Sequence, residues 1–445
     1  MALTDFHRFD FGVSPSGSFA EDVINNHTAF AKERKRDKRV RRLGHPRDLQ
    51  ATAALVSQLP PATPPPQYVD QSPKVLPGFN TRLVETATGP RPVAGGFHHA
   101  QSHWAPFHHL LPHRVLSILH TGVRLEWQGA PPMPLWLQNH KIDPPHREFV
   151  SLEVQSLLAT GAIRYYDQHL FGPPICILPL LVMVDAAGGL RLCYDGRYLN
   201  SCLYKRTIRY ETLDVLRLLL GPPMDPDQPD PSILKIDFKS GYHHALMEHG
   251  TEPFLVFEWE GRLYYWKALP FGLASAPEVF EFLMQKGLRK ILRGPLQIPH
   301  IGYLDDSGAV LRHVRSVNLS LNDIVEHTRV RMSEGLLKCP TPFECPINYL
   351  MCFLFFGGSI NVPKLAFGTL VEMLGILFDC QARKTFVPER RAARLLPMLQ
   401  HIVDTPVAAR IPVKLLAEIA GQLVSMYEAL RFARQLLWAV FYAIY

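Results

Sequence analysis

The stretch His300-Ile-Gly-Tyr-Leu-Asp-Asp-Ser-Gly-Ala-Val-Leu311 decides the reading of this chain. Two short runs, His300–Leu304 and Gly308–Leu311, flank a tight Asp305-Asp306 turn, so the spacing predicts a β-hairpin with two acidic side chains at its tip. Two like charges about 4 Å apart repel by about 4 kcal/mol at an effective dielectric of about 20. Taken alone, an Asp-Asp pair reads as an ordinary polar turn. The surrounding sequence reverses that reading.

Three further patterns precede the hairpin. Arg191-Leu-Cys-Tyr-Asp-Gly-Arg-Tyr-Leu-Asn200 lies on the return arm of another predicted hairpin, with Ile175–Val184 as a buried strand, Asp185–Gly189 as the turn and Leu190–Tyr194 as the second strand. Asp237-Phe-Lys-Ser-Gly-Tyr-His-His244 starts where a predicted strand, Ile233–Phe238, ends. Leu269-Pro-Phe-Gly-Leu-Ala-Ser-Ala-Pro-Glu-Val-Phe280 opens a predicted helix, Ser275–Ile291. Phe254–Trp259 and Leu263–Ala268 are predicted to pair around Glu260-Gly261. Helices and hairpins alternating in this order predict an α+β sandwich of the split βαβ kind.

The four patterns, in this order over about 115 residues, resemble the reverse transcriptase family, and the resemblance covers roughly residues 130–445. It implies an α+β right-hand polymerase with fingers, a ferredoxin-like palm and a short helical thumb. It implies an RNA-directed DNA polymerase that extends a DNA primer on an RNA template from deoxynucleoside triphosphates. Phosphoryl transfer of that kind uses two Mg²⁺ ions, with Mn²⁺ an alternative, about 3.5–4 Å apart on the attacking and leaving oxygens. Asp237 and Asp305 would bind metal, with Asp306 beside them. Arg191 would grip the triphosphate, since guanidinium suits phosphate bidentately. Tyr242 would gate the sugar against a 2′-hydroxyl. Phe271 and Gly272 would shape the nucleotide pocket, the glycine letting backbone approach substrate. Lys364 would lie near the leaving pyrophosphate, Asp195 and Arg197 would form a structural ion pair, and Met373–Asp379 resembles the primer-grip hairpin. Ile411–Met426 looks most like retroelements of the tyrosine-recombinase (DIRS-like) group.

Two features depart from that pattern. Val182-Met183-Val184-Asp185 has no lysine before the fingers turn, where the family usually binds the γ-phosphate. Lys364 follows Asp306 by 58 positions, a longer interval than the family suggests. The excess falls at 330–356, read as an insert beside the palm, from a retained intron or a gene-model artefact. These departures keep an alternative open, a catalytically inactive nucleic-acid-binding relic. An RNA-dependent RNA polymerase is a third reading, disfavoured by Tyr242.

The rest of the chain frames this core. Its 445 residues are 47% hydrophobic and 20% charged, which permits a large core and excludes wholesale disorder. No apolar run approaches the roughly 18 residues of a membrane span, and no secretory leader is visible. Seven scattered cysteines make no disulfide framework. The expected location is intracellular, nucleus or cytoplasm, with no membrane partner and the oligomeric state left open. The net charge of +7 is uneven. The run Lys32–Arg42 carries eight basic residues against two acidic, and 381–445 carries nine against four. The body between is nearly neutral. The first run reads as a nuclear-localisation or RNA-binding tract, the second as a thumb surface for duplex phosphates. The histidines His98, His99, His103, His108, His109 and His113 match no zinc template and read as a polar loop. The predicted division is a basic, Pro-rich, mostly disordered arm (1–100), a helical lead-in (101–130), fingers and the start of the palm (131–232), palm (233–380) and a truncated thumb (381–445).

Overall fold

The computed structural model describes residues 83–445 apart from 185–187, 222–229, 312–319, 334–345, 407–409, 427–428, 431–436 and 438–445. The basic run Lys32–Arg42 lies outside the described residues. Among the described residues no helix is long and apolar enough to cross a membrane.

The predicted arm gives way to packed structure well before residue 100. Leu83–Val84 and Arg91–Pro92 pair antiparallel. Phe97 is buried against Trp104, Phe238 and Phe280. Apolar surface recurs from Phe97 onward, so the chain is drawn into the core there. The predicted helical lead-in is broken in two. A 3₁₀ stretch, Ala105–Leu110, ends before Pro112, and α1 (His113–His120) follows. Pro112 cannot donate a backbone hydrogen bond, which fixes the break.

The fingers come next. β1 (Leu135–Trp136) precedes α2 (Pro144–Thr160), which stops at Gly161 in the left-handed conformation, φ 76°. β2 (Ile163–Tyr165) and β3 (Cys176–Ile177) follow, then the hairpin of β4 (Leu180–Val184) and β5 (Leu190–Tyr194). The single strand expected over Ile175–Val184 is two strands in different sheets, parted at Leu178-Pro179. α3 (Leu213–Leu220) leads to the palm.

β6 (Ser232–Asp237) is a central palm strand. β7 (Val256–Trp259) and β8 (Arg262–Trp266) turn on Glu260 and Gly261, both at positive φ, as their sequence implied. They do not join the palm sheet. They complete a five-stranded sheet, order β1-β3-β7-β8-β2, with the fingers strands. α4 (Ala276–Leu283) continues through a π-helical turn, Met284–Leu288, into α5 (Arg289–Arg293). Next are β9 (His300–Tyr303), β10 (Asp306–Leu311), α6 (Leu321–Ser333), α7 (Pro346–Phe355) and β11 (Ala366–Gly368). The palm sheet runs β9-β10-β6-β11, each neighbour antiparallel. In chain order this is βαββαβ with the two outer strands second and last, the ferredoxin-like arrangement.

The sheet lies between two cores. Leu234, Ile236, Phe238 and Ala309 face one. Ile233, Ile301 and Val310 face the other, with β12 (Leu370–Met373), β13 (Ile376–Asp379), β14 (Lys384–Phe386), α8 (Glu389–Asp404) and α9 (Val413–Ser425). Leu395, Ile402, Leu416, Ile419 and Leu423 seat the last two helices, the thumb, on that second core. The chain is an α+β right-hand polymerase fold with fingers, palm and thumb.

The segment read as an insert beside the palm is in part the palm itself. α6 runs to Ser333, and 334–345, with Cys339 and Cys345, lies outside the described residues. Pro346–Phe355 is a buried helix. Tyr349, Leu350, Cys352, Phe353 and Phe356 are fully covered. Phe353 packs edge-on against Phe238, with ring centroids 5.3 Å apart. A run as apolar as Tyr349-Leu-Met-Cys-Phe-Leu-Phe-Phe356 has no solvent-facing side, and the core is where it is stable.

Candidate active site

Asp237 ends β6, on the face it shares with Ile233 and Lys235. Asp306 is its register partner on β10. The expected Asp305-Asp306 turn is displaced by one residue. Tyr303 pairs with Asp306, so the tip is Leu304-Asp305 and Asp306 already belongs to the strand. Leu304 adopts φ 52° to close this tip. The Phe238 N–H donates to the Asp305 carbonyl at 3.1 Å, tying the tip to the strand end. All three carboxylates are thereby drawn to one end of the palm sheet.

Their electrostatics follow. Asp237 is only 7% exposed. Its carboxylate accepts from Lys364 Nζ at 3.2 Å and from Asn361 Nδ2 at 3.0 Å. Asp306 pairs with Lys235 Nζ at 3.2 Å. The Asp305 carboxyl is raised above its ordinary range, first by desolvation in a crowded cleft, then by the charges of Asp237 and Asp306; Lys364 opposes the shift. Among the described residues no three His, Cys, Asp or Glu side chains are gathered closely enough to form a ready cage for a metal ion. Nevertheless the donor set is all oxygen, it is mutually repulsive, and a hard divalent cation fits its chemistry. Such a cation would compete with Lys364 for Asp237.

The Tyr242 ring lies 4.7 Å from that of Phe271, tilted by 36°, and meets Phe280 edge-on at 5.6 Å. Burial pushes its hydroxyl up to about 12, and the Asp305 charge adds to the shift. Gly272 has φ 113°, and a Cβ there would lie 1.8 Å from the Tyr194 carbonyl oxygen. The close approach that requires glycine is thus to the backbone of β5. Asn200 bridges the same loop, donating to the Gly272 carbonyl at 2.9 Å and accepting from the Ala274 N–H at 2.7 Å. Tyr242, Phe271 and the acidic tip share one region. Arg191 is on β5, opposite Met183, with its side chain exposed, in a different sheet from the carboxylates.

The expected Asp195–Arg197 pair is present. Arg197 Nε donates at 2.8 Å and Nη2 at 2.6 Å, holding the Asp195 carboxyl well below its usual range. His140 Nε2, at 2.7 Å from Asp195 Oδ2, is a partner the sequence did not announce. His98 and His103 are tied to the Leu119 and Phe355 carbonyls rather than gathered as ligands.

Several buried hydrogen-bonding side chains were missed in the sequence. His244 is buried; the Ser359 N–H donates to its Nε2 at 2.9 Å, so Nδ1 carries the proton and donates to the Gly241 carbonyl at 3.0 Å. This clamps the Asp237 loop to the segment that delivers Asn361 and Lys364. Glu281 is fully buried and accepts from the Leu304 N–H at 2.7 Å. The only signal was a carboxylate inside the apolar run Val279-Phe-Glu-Phe-Leu283.

Residues 186–339 match the family model described as reverse transcriptase (RNA-dependent DNA polymerase). The chain is 23% identical over 197 residues to the retrovirus-related Pol polyprotein from transposon 297 of Drosophila melanogaster, covering 43% of this chain and 18% of that protein. It is 38% identical over 131 residues to Polyprotein P3 of Commelina yellow mottle virus, covering 29% of this chain and 6% of the relative. The chain therefore spans less than a fifth of the length of these curated relatives. Foamy viral protease-reverse transcriptase in complex with an RNA/DNA hybrid is similar at TM-score 0.47 and 13% identity, over 73% of this chain and 38% of that one. The complex of a related form with double-stranded DNA gives TM-score 0.47 and 14% identity, over 84% and 62%. Residues 186–339 thus match the reverse transcriptase family, inside an α+β chain whose palm sheet has the ferredoxin-like order.

Proposed function

We propose that this protein is an RNA-directed DNA polymerase of a retroelement, extending a DNA primer on an RNA template from deoxynucleoside triphosphates. The observation that carries the reading is the Asp237–Asp306 register pair with Asp305 at the adjoining tip, together with the Tyr242–Phe271 ring pair. In this reading Asp237, Asp305 and Asp306 hold two Mg²⁺ ions, or Mn²⁺. Bound there, the ions supply Lewis-acid stabilisation of the attacking and leaving oxygens. The chain's own side chains do the rest. Arg191 neutralises the triphosphate from the fingers. The Tyr242 ring, backed by Phe271 and Phe280, fills the space a ribose 2′-hydroxyl would need. Lys364 balances Asp237 and moves to phosphate when the nucleotide enters. Gly272 keeps the pocket loop against β5.

The retroelement subgroup and cellular place belong to the same proposal. The resemblance of Ile411–Met426, whose centre is α9, supports the tyrosine-recombinase group. An intracellular site fits a polymerase that meets RNA and nucleotides, and the basic run 32–42 favours the nucleus. Primer extension on an RNA template with Mg²⁺ tests the activity, with deoxy- and ribonucleotides compared in parallel. Incorporation of deoxynucleotides supports it; preference for ribonucleotides restores the RNA polymerase reading.

The second reading, an inactive nucleic-acid-binding relic, is favoured by one feature. The strand before the fingers turn offers Val182, Met183 and Val184, with no lysine for the γ-phosphate. Binding of primer–template without incorporation would establish that reading.

A further inference from the structure

Strand β9 is an edge of the palm sheet, so among the described residues the backbone groups on its outer side meet no neighbouring strand. Side chains meet them instead. Arg293 Nε donates to the His300 carbonyl at 2.7 Å. Glu211 Oε2 accepts from the Gly302 N–H at 3.1 Å. Glu281 Oε2 accepts from the Leu304 N–H at 2.7 Å. Residues 300 and 302 alternate, as the outward-facing groups of one strand must, and 304 follows at the tip. Together Arg293, Glu211 and Glu281 take the place of a missing strand, and the last contact falls on the hairpin tip.

Leu304 is the costly residue of that tip. Its φ of 52° is unfavourable for a side chain with a Cβ, and a neighbour must hold it. Glu281 is suited to do so. It is fully buried, and its other oxygen accepts from Arg289 Nη1 at 2.6 Å and Gln285 Nε2 at 2.9 Å. On a straight α-helix, residues eight apart point about 80° away from each other. The π turn Met284–Leu288 absorbs one residue, which brings Arg289 back to within about 20° of Glu281. Gly302 leaves the guanidinium room, since a Cβ there would stand 2.5 Å from Arg289 Nη2.

We infer that Glu281 is a positioning residue for the acidic hairpin: held by Arg289, its carboxylate fixes the Leu304 backbone and so aims Asp305. The consequence for catalysis rests on the polymerase reading; the placement itself does not.

Two variants of the full chain test it. Glu281→Ala removes the acceptor. Glu281→Leu combined with Arg289→Met also removes it, yet replaces a buried ion pair by apolar groups of similar size, a change proteins commonly tolerate. Amide hydrogen exchange over 300–306 is expected to speed up in both variants, with the rest of the palm unchanged. Primer-extension kcat is expected to fall on the order of 100-fold, the scale of an ångström-level misplacement. The nucleotide KM and primer–template affinity are expected to stay within about threefold. Unchanged exchange at the tip in the folded double variant would overturn the inference, and so would wild-type kcat. A wild-type chain that never extends a primer would count against the polymerase reading alone, because the exchange measurement still decides whether Glu281 holds the tip.

Discussion

Asp306 stands directly opposite Asp237 in the palm sheet, as its register partner across β10 and β6. Two carboxylates on paired strands repel, and the structure answers with one ammonium each: Lys364 on Asp237 and Lys235 on Asp306. This charge balance is what a divalent cation would replace, and it makes Lys364 a competitor for the site.

Substituting Lys364→Met should therefore tighten Mn²⁺ binding in the absence of nucleotide. Lys364 is largely exposed, and a pair of that kind is worth about 0.2–1 kcal/mol. The expected gain is at most about fivefold, read by titration of Mn²⁺ spin resonance. Weaker binding in the variant would show that Lys364 does not compete.

Tyr242 lies beside Asp305, with its ring pinned by Phe271 and Phe280. If that ring excludes the ribose hydroxyl, Tyr242→Val should raise ribonucleotide incorporation relative to deoxynucleotide by roughly 10–200-fold, the range that one small group in a pocket commands. Competitive incorporation assays measure the ratio. An unchanged ratio would assign sugar selection elsewhere.

α7 separates an appended segment from a core one. Phe353 is fully buried against Phe238 and Tyr349. Phe353→Ala should cost about 3–5 kcal/mol in urea unfolding, as large-to-small changes in a core do. A cost below about 1 kcal/mol would mean that Pro346–Phe355 is dispensable packing.

Stability should fall on acidification before the carboxylates titrate. Burial lowers His243 to about 3 and His244 to about 4, and it also lowers His300. These rings are neutral in the folded chain, whereas in the unfolded chain they take up a proton near pH 6.5. The unfolded state thus binds more protons below about pH 6.5, and the stability present above it drains away as pH falls toward the folded values. Each buried ring accounts for up to about 2 kcal/mol at pH 5. The urea midpoint should decline between pH 7 and 5, and His244→Gln should flatten part of that decline. A midpoint independent of pH in this window would contradict neutral burial.

Much of this was legible in the residues. Short runs flanking Glu260-Gly261 and Asp305-Asp306 announced hairpins, and an Asp near the end of Ile233–Phe238 announced the third carboxylate. What stayed hidden depends on long-range packing. The register that moves Asp306 from turn to strand is fixed by pairing with β6, not by the local tetrapeptide. Pro179 divides an apolar run between two sheets, which composition alone does not reveal. The run 346–356 looked foreign beside the motifs because its apolar faces make sense only once β6, β9 and α6 surround it. Glu281 and His140 gave no local motif at all: each works through a partner distant in sequence, or through backbone that only the fold brings near.

The central claim is that the carboxylate at the hairpin tip serves phosphoryl transfer to a primer. The most direct measurement is primer extension on an RNA template with Mg²⁺ and deoxynucleotides, comparing the wild-type chain with Asp305→Asn at equal primer–template occupancy. The account predicts extension by the wild type and its loss, by a factor on the order of 1,000 or more, in the near-isosteric variant that lacks the charge. An Asp305→Asn chain that extends primers at the wild-type rate would contradict it.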